Sequence, residues 1–172
     1  MKTYICQICG DAYIGEEVPS DCPFCGAPGN FIKSGNESNP IVKQEIELSA
    51  LSEENLMKTY ELEVHAAALY ICMAKKGSTH EIQKMYKRLS KIELEHASIV
   101  TKILKMPKPE LKDEECSDQD LENFKQTEEL ETNAVNLYRQ FAKEAEEQPL
   151  KILFTALAKA EEGHIELMKN YQ

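Results

Sequence analysis

The sequence predicts a mainly α-helical protein: a four-helix bundle built around a two-metal centre, preceded by a small module that holds one metal through four cysteines. Three observations lead there. Glu63, Glu93 and His96 recur 68 residues later, without a gap, as Glu131, Glu161 and His164. At that offset residues 54–104 and 122–172 are identical at 15 of 51 positions, among them the pairs Leu62/Leu130, Tyr70/Tyr138 and Leu89/Leu157. A site is therefore duplicated together with its scaffold. Finally, two Cys-x-x-Cys pairs open the chain, at Cys6/Cys9 and Cys22/Cys25.

Residues 1–34 are rich in Cys, Gly and Pro, and read as the tetrathiolate module. Twelve residues separate Cys9 from Cys22, and Gly10 and Gly26 directly follow the two pairs. Cysteines two residues apart fit a tight turn whose backbone N–H groups point at sulfur, and the glycine permits the backbone conformation that the turn needs. Spacing alone suits zinc as well as iron. An iron able to carry electrons beside a redox-capable pair of metals makes a working combination, whereas zinc would only staple the fold.

Residues 35–52, which include Gly35-Asn-Glu-Ser-Asn-Pro40, read as a linker. Helical periodicity begins after Ser52, taken as the N-cap, and 53–172 form the bundle. The first helix is expected over about Glu53–Lys76, ending at Gly77, and the second over about Thr79–Lys105, stopped by Met106-Pro-Lys-Pro109. A short turn makes these an antiparallel pair. Residues 106–117 are the long break in the helical half. Extended, such a segment spans roughly 40 Å, about the length of a 27-residue helix, so it can cross from one bundle end to the other. The alternative is that helix pairs exchange between two chains. Ser117 reads as the cap of a third helix reaching about Glu147, and Pro149 suits the first turn of a fourth.

On a helix, residues three apart share a face, so Glu93-x-x-His96 and Glu161-x-x-His164 each aim one carboxylate and one imidazole at a common point. Adding Glu63 and Glu131 from the other two helices completes the ligand set of di-iron and di-manganese four-helix bundles. Four carboxylates balance two divalent ions, and oxygen-rich mixed ligation favours iron or manganese over thiophilic metals. Leu89, Ile92, Ile99 and Val100 flank one motif, and Leu153, Leu157, Ala160 and Met168 the other, so these are buried faces and not solvated ones.

The net charge of −10, without a basic patch, argues against nucleic acid. No run of 18 apolar residues marks a membrane span, and the N-terminus carries no secretory pattern. A cytoplasmic protein is expected, whose cysteines serve metal or redox chemistry before disulfides. His65 and His80 read as ordinary surface residues, and Cys72 and Cys116 as free thiols.

These motifs together resemble the rubrerythrin family in reversed domain order: a rubredoxin-like module of Cys6, Cys9, Cys22 and Cys25 precedes a ferritin-like bundle. Asn55-Leu-Met-Lys58 leading to Glu63 and Tyr70 looks like the family's first ligand helix. The resemblance implies that Glu93 and Glu161 bridge two irons, that Glu63 and Glu131 are terminal ligands, and that His96 and His164 cap one iron each. It also implies that Tyr70 and Tyr138 hydrogen-bond to ligand carboxylates. Rubrerythrins typically carry a further glutamate one turn after the third-helix ligand; here that residue is Ala134. Glu128, one turn before Glu131, could substitute, or Glu128 and Glu131 could together be the family's pair.

The resemblance implies one Fe held by four thiolates and two Fe in the bundle, with Zn or Mn as substitutes. The implied activity is a non-haem di-iron peroxidase that reduces hydrogen peroxide to water in oxidative-stress defence. Its electrons would come through the rubredoxin-like iron from a separate NAD(P)H-linked rubredoxin reductase or similar donor. Two other readings are a ferroxidase or iron-handling protein, and a zinc-ribbon structural or binding protein with an inert bundle. The family's paired chains and the linker's reach imply a homodimer, head-to-tail or swapped, in which each tetrathiolate iron serves the partner's di-metal site.

Overall fold

A computed structural model describes residues 1–172. Strands β1 (Lys2–Cys6), β2 (Ala12–Gly15) and β3 (Ile32–Ser34) form a small antiparallel sheet in the order β2-β1-β3. Four helices follow: α1 (Ala50–Lys76), α2 (His80–Leu104), α3 (Asp120–Glu144) and α4 (Gln148–Lys169). The expected ferritin-like four-helix bundle with an N-terminal rubredoxin-like module is the fold observed.

The helix ends differ in detail from those expected. Ser49, not Ser52, caps α1 by accepting the Ser52 N–H at 3.2 Å. Ser52 lies inside the first turn, where its hydroxyl donates to Glu147 at 2.6 Å. Likewise α3 starts after Gln119 and not at Ser117; the Ser117 hydroxyl closes a turn just ahead of the helix by accepting the Gln119 N–H at 3.1 Å. The third helix stops at Glu144 because Ala145 and Glu147 are extended ahead of Pro149. Gly77 separates α1 from α2 where a Cβ would come within 2.9 Å of the Ile82 side chain, so the tight approach requires glycine there.

Helix α1 packs on α2, and α3 on α4. The start of α3 sits beside the α1–α2 turn, where the Ser78 N–H donates to Asp120 at 3.3 Å. The start of α4 sits beside the start of α1, where the Ser49 N–H donates to Glu147 at 2.6 Å. Residues 105–119 therefore run the length of the bundle as its crossover. Along this path Cys116 is joined to Cys72 of α1 by a disulfide, with their Cα atoms 5.9 Å apart. The expectation of free thiols is corrected: the crossover lies along the outer face of α1, which carries Cys72 to it.

The segment 35–52 is short-turned and packed against the core. Gly35–Glu37 and Ile41–Lys43 are 3₁₀ turns, Ile41 is buried, and Val42, Ile46 and Leu48 pack against the main core. The Ile41 N–H donates to the Gln7 carbonyl at 2.8 Å. One apolar cluster runs from Cys6, Ile8, Cys9 and Ala27 of the module to Leu56, Ile99, Val100 and Leu157 of the bundle. The module thus sits on its own bundle instead of being carried away on a free tether. No helix is long and apolar enough to cross a membrane.

Candidate metal centres

Strand β1 ends at Cys6, and the chain turns back through Cys9, while Cys22 and Cys25 lie on the second turn. The Gly10 N–H donates to the Cys6 carbonyl at 3.0 Å, and the Gly26 N–H to the Cys22 carbonyl at 2.9 Å. Both glycines take positive φ, +82° and +71°, as the turns demand. The four sulfurs lie within 4.8 Å of one another, with Cys6 and Cys25 at 3.7 Å and Cys9 and Cys22 at 3.8 Å. Hydrogen bonds from the neighbouring thiols, Cys25 first, hold the Cys22 thiol far below its ordinary range. The Asp11 N–H points at the Cys9 sulfur at 3.5 Å. All four cysteines are buried, and the cage fits a single tetrahedral metal.

In the bundle each helix brings one turn of acidic or imidazole side chains to the centre. Glu63, Glu93, His96 and Glu161 gather at one point; Glu93, Glu131, Glu161 and His164 gather at a second. Glu93 and Glu161 belong to both. The Nδ1 of His96 lies 3.1 Å from both Glu93 and Glu161 and 3.4 Å from Glu63. The Nδ1 of His164 lies 2.8 Å from Glu161, 3.2 Å from Glu93 and 3.6 Å from Glu131. His96 and Glu93 are wholly buried, while His164, at 6%, is the most exposed of the six.

These groups are not satisfied by the protein. Both oxygens of Glu93 and of Glu161, and the Nδ1 atoms of both histidines, are buried without a hydrogen-bond partner. Leaving that many polar atoms unpaired in a core costs several kcal/mol. Burial, then the charge of Glu161, pushes the Glu93 carboxyl well above its usual range and Glu131 up to about 7. Against the same burial, the two imidazoles hold Glu161 at about 2. With both imidazoles neutral, as ligands must be, the four carboxylates carry a charge that two divalent cations balance, so the donor set fits a pair of metals.

The surroundings fix the ligands' orientation. The Tyr70 hydroxyl of α1 donates to Glu131 of α3, and the Tyr138 hydroxyl of α3 donates to Glu63 of α1. The duplicated tyrosines thus cross the bundle to steady each other's carboxylate. His96 Nε2 donates to the backbone carbonyl of Cys25 at 2.7 Å. That bond places the ring proton on Nε2 and leaves the Nδ1 lone pair facing the carboxylates, as a metal ligand requires. It also links the two centres directly. Gly26 fits the contact, since a Cβ there would lie 3.3 Å from that of Ala160 on α4.

All ten sequence-predicted ligands are thereby brought into two sites. Glu128 is not: it is half-buried and accepts from the Gln172 side chain at 2.9 Å, away from both groups. Its side chain is turned toward the C-terminal residue and stands outside both metal-ligand groups. Buried Ala134 fills the family's usual glutamate position. His65 is exposed and bonded to Glu114 at 2.9 Å, as befits a surface residue. Sequence reasoning missed the Cys25 carbonyl, since a backbone acceptor has no residue signature.

Residues 54–171 match the rubrerythrin family, and residues 4–32 match the family described as rubrerythrin, rubredoxin-like domain. The chain is similar to reverse rubrerythrin-1 of Clostridium acetobutylicum, at 30% identity over 115 residues. That similarity covers 60% of this chain and 62% of the relative, less than two thirds of its length.

Proposed function

Because the chain belongs to the rubrerythrin family, we propose that it is a di-iron peroxidase. It reduces hydrogen peroxide to water with electrons relayed through the cysteine site. The observation that carries this reading is the 2.7 Å bond from His96 Nε2 to the Cys25 carbonyl, which joins a ligand of one centre to a ligand of the other. Iron storage has no need of an electron-carrying site attached in this way, and neither has an inert bundle.

In this reading Cys6, Cys9, Cys22 and Cys25 hold one iron. Glu93 and Glu161, which belong to both groups, would hold a metal pair in the bundle together with Glu63, Glu131, His96 and His164. Iron bound there would supply the two electrons that the O–O bond takes up. The protein's part is to hold and orient. Tyr70 and Tyr138 keep the terminal carboxylates in place, and the Cys25 carbonyl keeps His96 Nδ1 aimed inward. Leu89, Leu157 and the buried ring of Tyr86 exclude water from most of the site. Peroxide and the protons that make water enter on the His164 side, where the site approaches solvent. A separate NAD(P)H-linked reductase of the rubredoxin-reductase kind refills the cysteine site.

The test is anaerobic purification with metal analysis and a visible spectrum, followed by reduction and titration with hydrogen peroxide. The expected result is a red ferric tetrathiolate, and one peroxide consumed per two electrons, faster than with oxygen. A colourless zinc site would remove the relay. Iron uptake beyond what the two sites hold, without peroxide turnover, would mark a ferroxidase instead.

A further inference from the structure

Cys72 and Cys116 stand apart from both metal centres, yet the fold pairs them. Cys72 lies on the outer face of α1 and Cys116 near the end of the crossover; both are half-buried. Cys72 walls a cavity of about 140 Å³, in which Lys75, Lys76 and Lys112 face Asp113 and Glu114. Glu114 is already engaged by His65. A neighbouring groove of about 400 Å³ shares Ile71 and Lys75 with this cavity and adds His80, Lys84 and Lys87, with no carboxylate in its wall. In a chain of net charge −10 these cations gather on the Cys72 side of the disulfide, where a small molecule can reach it, whereas Asp113, Glu114, Glu115 and Asp118 flank Cys116.

We propose that Cys72–Cys116 is a second redox site, a thiol–disulfide couple that small carboxylate-bearing thiols reduce and that locks the crossover to α1 when oxidised. The thiol's sulfur attacks Cys72, the cysteine that walls the cavity, and the S–S bond breaks. Cys116 leaves as a thiolate beside Lys76, whose Nζ already bonds the Cys116 carbonyl at 2.7 Å. A second thiol attacks the mixed disulfide, releasing Cys72 as a thiolate and a small-molecule disulfide that carries away the two-electron oxidation. Hydrogen peroxide reverses the change: one thiolate becomes a sulfenic acid with loss of hydroxide, and the other cysteine condenses with it, releasing water.

Once the bond is open, the end of the segment stays tied at Ser117, whose N–H donates to Asn123 at 3.1 Å and whose carbonyl accepts from the Asn123 amide at 3.0 Å, but the stretch before it is held only by exposed contacts. Lys76 to Asp118 at 3.0 Å and His65 to Glu114 at 2.9 Å are surface pairs, which hold weakly. Reduction therefore frees residues 106–116 without touching the ligands of either metal centre.

The test uses the full-length, metal-loaded, air-oxidised protein with three probes: mercaptoacetate, 2-mercaptoethanol and 2-aminoethanethiol. Rates of reduction are read as alkylation of the Cys72 and Cys116 peptides by mass spectrometry, each corrected for the thiol's own acidity. Mercaptoacetate should react about tenfold faster than 2-aminoethanethiol at low salt, with the gap closing at high salt. The triple variant Lys75→Glu, Lys84→Glu, Lys112→Glu should reverse the order. Hydrogen exchange across 106–116 should rise on reduction and fall again after peroxide, while Cys72→Ser keeps the bundle's peroxide turnover and shows the rise permanently. The proposal is overturned if the two cysteines are recovered as free thiols in air. It is equally overturned if the bond resists all three thiols until the protein unfolds, or if the three rates agree and ignore salt.

Discussion

Glu93 and Glu161 differ from the other four bundle ligands in serving both metal positions, and they are also the residues whose oxygens lack any protein partner. Replacing either by Ala should therefore empty the whole bundle site and not half of it, while the four cysteines keep their metal. Iron counted per chain, together with the tetrathiolate absorption, checks this; simultaneous loss of both would mean that the sites are not independent. Glu128 gives the opposite expectation. Its carboxylate is bonded to Gln172, so Glu128→Gln should leave metal content and peroxide turnover unaltered. A slowed turnover with full metal would show that this side chain swings inward during the reaction. At this scale the sequence was most legible where chemistry repeats at i, i+3 spacing, because helix geometry alone then decides which side chains converge. It left the lean of Glu128 open, since a shared helix face does not settle it, and it misled at Cys72, whose partner depends on where the crossover lies.

The two hairpins repeat more than ligands. Thr59 and Thr127 each donate back to the carbonyl of Asn55 or Asn123, both at 2.9 Å, and Tyr70 packs on Tyr86 as Tyr138 packs on Phe154. Those matches follow from the sequence identities, whereas the joints between hairpins are unique and had to be seen. One such joint is Glu147, which receives the Ser49 N–H and the Ser52 hydroxyl at the start of α1. Burial would push its carboxyl up, but these bonds outweigh it and hold the group at about 2, below the ordinary 4.5. A carboxyl lowered on folding contributes stability that is complete above its unfolded value and is lost as pH falls through its folded one. Glu147→Gln should therefore cost about 1 kcal/mol near neutral pH, allowing for the group's exposure. The gap between variant and parent should shrink from pH 4.5 towards 2 in denaturant titrations, and a constant gap would assign the cost to packing. Within α4, Gly163 has open space where a Cβ would stand and no positive φ. Gly163→Ala should thus raise stability by about 1 kcal/mol, read as a higher thermal midpoint, with the metal content unchanged.

For the whole molecule, the decisive fact is how the segment between module and bundle is used. Its composition, with Gly35, Asn39 and Pro40 and scattered charges, reads as tether. Ile41, Val42, Ile46 and Leu48 are too widely spaced to show helical or strand periodicity, so their burial could not be inferred from pattern. In the fold they pack into the apolar cluster that module and bundle share, with the Ile41–Lys43 turn against α2, and Lys102 of α2 adds a bond to the Cys9 carbonyl at 3.2 Å. Cys25 lies against His96 of the same polypeptide, and on that contact we propose a route inside one chain in place of the head-to-tail route through a partner. This makes a sharp prediction for mixed oligomers. A Cys9→Ser chain lacks an intact cysteine site, and a Glu93→Ala chain lacks the bundle site, so each parent should be inactive with the reductase. If electrons pass within a chain, combining the two restores nothing, because neither polypeptide holds both centres. Refolded mixtures, with the oligomer verified by mass and the surviving centre of each parent confirmed by metal analysis, should stay at the parental background. Wild-type protein carried through the same refolding should recover full turnover. Activity that rises in proportion to the mixed species would instead require the module to reach across to its neighbour, and the bond between Cys25 and His96 would then have to form between chains.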